Sequence, residues 1–204
     1  IQILPINDTT TFMDWRDSYP YRAISVFALH PIYLDMSVFR EILTDTEKAE
    51  FDAQQKSLNT LKTVDYEAVL DAKWHYIKIG YDKLSKNIFS SMAFLDFFAQ
   101  NRNWLDPYAA FCYLRDLHHT SDYSQWGEFA KYSKDKLKKL STSGLNLHYF
   151  VQFLLHQQLK SASDYAHALG VGLKGDIAIG IAHDSADAWS DESLYHMDFQ
   201  TGAP

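Results

Sequence analysis

Gly170-Val171-Gly172-Leu173-Lys174-Gly175-Asp176-Ile177-Ala178-Ile179-Gly180-Ile181 is the most informative run in the chain. Ahead of it, Asn146 to Leu169 has the apolar spacing of a long amphipathic helix. Gly170 suits the left-handed residue that closes such a helix. Gly175 to Ile181 then reads as a buried strand with one charge near its start. A helix that ends on glycine and feeds an apolar strand is an α/β pattern. Asp176 stands out, because a carboxylate within an apolar strand costs free energy unless it is paired. Either it faces a site from a strand end, or it bonds backbone amides at a turn. Beyond the strand, Asp184 or Ser185 is placed to cap a short helix. Trp189 reads as a stacking platform or as a core anchor.

At the other end, Ile1-Gln2-Ile3-Leu4-Pro5-Ile6 reads as a second short buried strand, with Pro5 near its end. Residues 8–23 read as a loop. Ile24 to Leu34 contains Pro31 and is not expected to be one regular strand. From Thr44 the pattern turns helical. Thr44-Asp45-Thr46-Glu47 has the form of a capping box. Asp65 to about Leu84 places Tyr66, Val69, Leu70, Trp74, Ile77 and Tyr81 at helical spacing. Phe89 to Ala99 is read as a further helix, and Asp106-Pro107 as the start of another, with Asp as cap and Pro at the first helical position. Lys131 to Leu140 is short and charged. About five helices thus separate two strands, too many for one crossover. The predicted organisation is residues 1–40 as strand and cleft loop, 41–145 as a helical inserted subdomain, and 146–204 as helix, strand and following loop.

Composition narrows the function. The net charge of −7 over 204 residues argues against a nucleic-acid surface. No apolar run approaches the ~20 residues of a membrane span. The single cysteine, Cys112, lies within Ala109-Ala110-Phe111-Cys112-Tyr113-Leu114; it excludes a disulfide framework and fits a small core residue in a cytoplasmic protein. None of the nine histidines has zinc-motif spacing, so no metal site is expected. No Gly-rich phosphate loop and no local Ser-His-Asp pattern is present, and no cofactor is expected. Aromatic residues reach 15%, which suits stacking on sugar rings but also plain core filling. The chain opens directly on an apolar run at Ile1 and closes on Thr201-Gly202-Ala203-Pro204, so an internal fragment is expected.

Several motifs, in order, resemble glycoside hydrolase family 77, the amylomaltases and disproportionating enzymes. Ile1 to Asp8 is followed by Ser18-Tyr19-Pro20-Tyr21 and by Ser25-Val26-Phe27-Ala28-Leu29-His30-Pro31. Pro20, Tyr21, Ser25, Phe27, Ala28 and Pro31 meet the family pattern Pro-Tyr-x-x-x-Ser-x-Phe-Ala-x-x-Pro. Leu29-His30 resembles the branch that holds the cytosolic plant enzyme and its bacterial relatives. The likeness continues through Trp104 to Phe111, Leu114-Arg115-Asp116, Tyr149 to Phe153, Leu173 to Ile177, and Asp184-Ser185-Ala186 with Trp189. It is looser over residues 45–100.

This resemblance implies a fragment of a (β/α)8 barrel, from about strand two to strand three, with a large helical insertion. It implies a 4-α-glucanotransferase that moves α-1,4-glucan segments between malto-oligosaccharides with retention of configuration. Tyr21 and Ser25 would then sit on a loop lining the glucan cleft, with Trp15 and Tyr19 helping to cover it. Asp176 would be the substrate-side Asp of strand three. The family nucleophile lies in an Arg-x-Asp-His motif that this sequence lacks, so no catalytic residue is assigned and the fragment alone is expected to be inactive. Ala178 stands where the family usually has Pro, and His183 where this branch often has a basic or small residue. The alternatives are a related α-glucan hydrolase and a non-catalytic, glycan-binding helical module.

Overall fold

The computed structural model describes residues 1–178 and 180–199. Ile179 of the expected strand and the closing segment 201–204 lie outside the described residues.

Helices dominate. A short α1 (Ser37–Arg40) leads into α2 (Asp45–Asn59). The capping box that opens α2 forms as its spacing dictates. The Glu47 N–H donates to the Thr44 hydroxyl at 3.3 Å, and the Thr44 N–H donates to the Glu47 carboxylate at 2.6 Å. That backbone bond, together with Lys83 at 3.0 Å, pulls the Glu47 carboxyl down to about 2. Next comes α3 (Tyr66–Phe89), capped by Asp65, whose carboxylate accepts the Ala68 N–H. It runs five residues past the expected end.

The following helix corrects the sequence reading. α4 (Met92–His118) is one continuous helix, with Ser91 as its cap and Pro107 inside it. Asp106 therefore caps nothing; its carboxylate instead accepts the Tyr149 hydroxyl and pairs with Arg102. A proline inside a helix leaves one carbonyl four residues earlier without a partner. Here that carbonyl belongs to Asn103, an exposed residue that water can serve. Packing on the far side compensates, since Pro107, Tyr108, Ala109, Ala110 and Phe111 are all buried.

A single turn, α5 (Lys134–Leu137), precedes α6 (Thr142–Ala168). α6 ends in a Schellman motif. The Gly170 N–H donates to the His167 carbonyl, the Val171 N–H donates to the Ala166 carbonyl, and Gly170 has φ +72°. Ser185 caps α7 (Ala186–Ser190) by accepting the Ala188 N–H, and Trp189 beside it is buried with its indole N–H on the Phe129 carbonyl. Trp189 is a core anchor.

Packing follows the apolar stripes. α6 lies against α3 and α4, and α7 closes over α4. Phe39, Ile77, Leu105, Phe111, Leu114 and Phe150 are fully buried, and Cys112 lies among them with its thiol pushed well above its usual range by burial. Gly80 is required by this packing. A Cβ there would sit 2.3 Å from the buried Phe39 ring. Gly80→Ala is expected to lower stability by about 1–3 kcal/mol through overpacking; urea unfolding followed by tryptophan fluorescence checks it.

His148, on α6, is fully enclosed between Trp74 and Tyr108, with ring centroids at 5.9 and 6.4 Å. Burial lowers its pKa from 6.5 to about 4, with Arg115 adding and Asp116 opposing. The folded chain thus holds this proton less well than the unfolded chain. The stability that His148 brings is complete above pH 6.5 and is lost as the pH falls towards 4. Its total is about 3 kcal/mol. Comparing urea unfolding at pH 7.5 and 4.5, His148→Leu should remove most of that acid loss; an acid loss equal to the native one would refute it.

The two expected strands are corrected too. Among the described residues no run is a regular strand. Gln2 and Lys174 nevertheless form a parallel bridge. The Lys174 N–H donates to the Ile1 carbonyl at 2.8 Å, the Ile3 N–H to the Lys174 carbonyl at 3.0 Å, and the Asp176 N–H to the Ile3 carbonyl at 3.1 Å. The runs are neighbours and parallel, but not buried. Ile1, Leu4 and Ile177 are 73%, 60% and 74% exposed. A two-stranded parallel pair with no further strand beside it cannot cover its own faces.

Candidate functional site

The segment from Asn7 to Asp35 crosses the top of the helical body, and side chains hold it there. Asp8, 1% exposed, is central to its hydrogen bonds. The Asp8 N–H donates to the Ala28 carbonyl, and the Asp8 carbonyl accepts the Ile24 N–H. The Asp8 carboxylate accepts the Thr10 N–H at 2.9 Å and the Tyr108 hydroxyl at 2.6 Å. Arg115, also buried, donates to the Thr10 carbonyl and to the Thr10 hydroxyl. Asp17 accepts the N–H groups of Phe12 and Met13, which holds Met13 at φ +59°; burial raises the Asp17 carboxyl against those same bonds. The guanidinium groups of Arg16 and Arg22 stack on the Phe12 ring at 3.9 and 4.5 Å.

This frame presents Tyr21. Its hydroxyl donates to Asp176 at 2.8 Å, across 155 residues of sequence, and that bond holds the phenol above its usual pKa. The second Asp176 oxygen accepts the Ile177 N–H at 2.9 Å. Both side chains are half-buried, so one face of the pair stays open. Tyr19 lies 5.7 Å from Tyr21 and is 60% exposed, and Trp15 is 68% exposed. Ser25 is elsewhere. It is fully buried, and its hydroxyl accepts the Phe27 and Ala28 N–H groups at 3.2 and 3.4 Å. The Asp187 carboxylate accepts the neighbouring Val26 N–H at 2.8 Å, and burial raises its pKa. Of the three residues singled out from sequence, the structure brings Tyr21 and Asp176 together and sets Ser25 beneath the loop.

Sequence reasoning gave no site role to Asp8, Asp17, Arg115, Gln152 or Asp187, although Asp8, Arg115 and Gln152 lie in the family motifs. One signal was available: Arg115 is a charge directly after the apolar run Ala109 to Leu114, as Asp176 is a charge before one. Along the same loop, an open cleft of about 680 Å³ is lined by Thr11, Phe12, Arg16, Asp116, His119 and Asp184. Among the described residues, no group of three or more His, Cys, Asp or Glu is placed to hold a metal ion, and no helix is long and apolar enough to cross a membrane.

A family model described as 4-alpha-glucanotransferase, glycoside hydrolase family 77, matches residues 1–204. The chain belongs to that family. A 4-alpha-glucanotransferase DPE2 of Oryza sativa subsp. japonica is 42% identical to it over the whole chain and 22% of the rice protein. The 4-alpha-glucanotransferase of Chlamydia pneumoniae is 32% identical over the whole chain and 38% of its own length. This family member therefore spans about a fifth to two fifths of the relatives it matches. Its fold is similar to that of amylomaltase from Streptococcus agalactiae, solved in complex with acarbose, with a TM-score of 0.76 at 20% identity over 95% of this chain and 39% of that one. Amylomaltase from Corynebacterium glutamicum gives 0.68 at 18% identity, over 95% and 27%.

Proposed function

We propose that this chain is a segment of a longer cytoplasmic 4-α-glucanotransferase. In it, Ile1 to Ile6 and Gly175 to Ile181 are adjacent strands, about the second and third, of a (β/α)8 barrel. Residues 1–40 supply a strand and the cleft loop, 41–145 a helical insertion, and 146–204 a helix, a strand and its following loop. The parallel bridge of Gln2 with Lys174, with the Tyr21–Asp176 bond beside it, carries this reading. In barrels of this kind, residues at strand ends face the substrate.

The reaction follows from the family. Retention of configuration uses two carboxyl groups about 5 Å apart, one as nucleophile and one as acid/base. Both lie outside this chain. The segment binds: the open face of Tyr21 and Asp176 meets an α-1,4-glucan, and Ser25 holds the loop from below. Transfer outruns hydrolysis when sugar fills the acceptor position and water is excluded. Trp15 and Tyr19 are the exposed rings available to cover the cleft.

The test is product analysis of the full-length protein with maltotriose. Disproportionation, giving glucose together with longer malto-oligosaccharides, is the expected result. Hydrolysis alone would identify an α-glucan hydrolase, and binding without turnover a glycan-binding module.

A further inference from the structure

We propose that Tyr108 of α4 and Gln152 of α6 are positioning residues, which set the glucan-facing loop from within the helical body and thereby decide how well the site keeps water out. This rests on the transferase reading above. Gln152 is 2% exposed, and its side-chain amide acts as a piece of strand. Its carbonyl accepts the Leu29 N–H at 2.9 Å, and its amino group donates to the Leu29 carbonyl at 2.8 Å. The same amino group lies 3.2 Å from the Tyr108 hydroxyl, which donates to Asp8. One chain of bonds therefore joins Leu29, Gln152, Tyr108 and Asp8. It fastens both limbs of the loop that holds Tyr21, and Asp8 also accepts the Ile24 N–H, three residues from Tyr21.

An apolar seam between α4 and α6 exists apart from this arrangement, supplied by Phe94, Phe97 and Phe153. α6 repeats the device at Gln158, whose amide accepts the Asp35 N–H at 2.8 Å and donates to the Asp35 carbonyl at 3.0 Å. Two glutamines on one helix thus read the backbone of the loop rather than its side chains. Neither touches Tyr21 or Asp176. Their effect on a reaction is indirect: a looser loop admits water as a competing acceptor.

The experiment compares Tyr108→Phe with the native full-length enzyme on maltotriose, measuring kcat, KM and the ratio of transfer to hydrolysis, with Gly80→Ala as a variant that strains the core away from the loop. The expected result is a transfer kcat/KM about tenfold or more below native, with a several-fold larger hydrolytic share, while Gly80→Ala keeps the native ratio. A native ratio in Tyr108→Phe, or the same shift in Gly80→Ala, would overturn the proposal. If Tyr108→Phe does not fold, Gln152→Glu serves, because it keeps the acceptor for the Leu29 N–H and removes the donor to the Leu29 carbonyl. The same two outcomes are then read from it. Absence of transfer in the native enzyme would overturn the transferase reading, and this proposal with it; transfer in the native enzyme with an unaltered ratio in the variants would overturn only the positioning role.

Discussion

Phe150→Ala is expected to destabilise the protein by about 3–5 kcal/mol. Phe150 lies on the buried face of α6 and is fully enclosed. Its ring stacks on Phe39 at 6.2 Å and meets Tyr81 edge-on at 5.5 Å. Truncation costs the lost burial plus the void, and the void term depends on whether neighbours can collapse into it. Phe39 could fill the void only by giving up its close contact with Gly80. The upper half of that range is therefore expected. Urea unfolding of the variant measures it, with Tyr165→Ala as the control, since Tyr165 sits further along the same helix at 70% exposure. A loss below about 1 kcal/mol for Phe150→Ala would mean that α6 does not pack as described.

Arg115→Met is the second large effect, again about 3–5 kcal/mol. Arg115 is 3% exposed, and its guanidinium holds the Thr10 carbonyl and hydroxyl on one side and Asp116 on the other. Methionine replaces the stem but none of the donors. The buried Thr10 carbonyl and hydroxyl are then left without their partner, and the attraction of Arg115 for Asp116 and Asp8 is lost. Buried acceptors left without a donor, rather than the ion pair with half-exposed Asp116, make the cost large. Lysine carries the charge but lacks the planar fork, so Arg115→Lys should recover only part of the stability. Unfolding midpoints of the two variants test this; equal and small losses would count against the frame.

Local chemistry explains which parts of the fold were legible. The capping box at Thr44 and Glu47 and the glycine after α6 were readable because both signals act within a few residues. Pro107 misled for the same reason. Asp-Pro is a good helix start in isolation, and the burial of Tyr108 to Cys112 and of Leu114 as α4 packs against α6 and α7 makes a continuous helix the better solution. The runs at Ile1 and Gly175 were readable as neighbours, and the structure joins them in parallel through Gln2 and Lys174; the expected burial does not appear, since Ile1 and Ile177 stay exposed. Asp176 stood out as a charge in an apolar run and Tyr21 through a family motif; their bond to one another was not legible, because 155 residues separate them. Asp8, Tyr108 and Gln152 each fall within a family motif, but nothing local marked their bonds to one another. A buried hydrogen-bond chain has no period, and each member reads as an ordinary polar or aromatic residue until the fold assembles it.

Central to the account is the claim that Tyr21 and Asp176 form one glucan-facing unit at the ends of two adjacent parallel runs. A double-mutant cycle on transfer activity in the full-length enzyme, with Tyr21→Phe, Asp176→Asn and both together, tests this most directly. The account predicts that each single variant lowers kcat/KM and that the double variant is little worse than either, with a coupling of about 1 kcal/mol or more. Strictly additive losses, or single variants with native transfer, would contradict it.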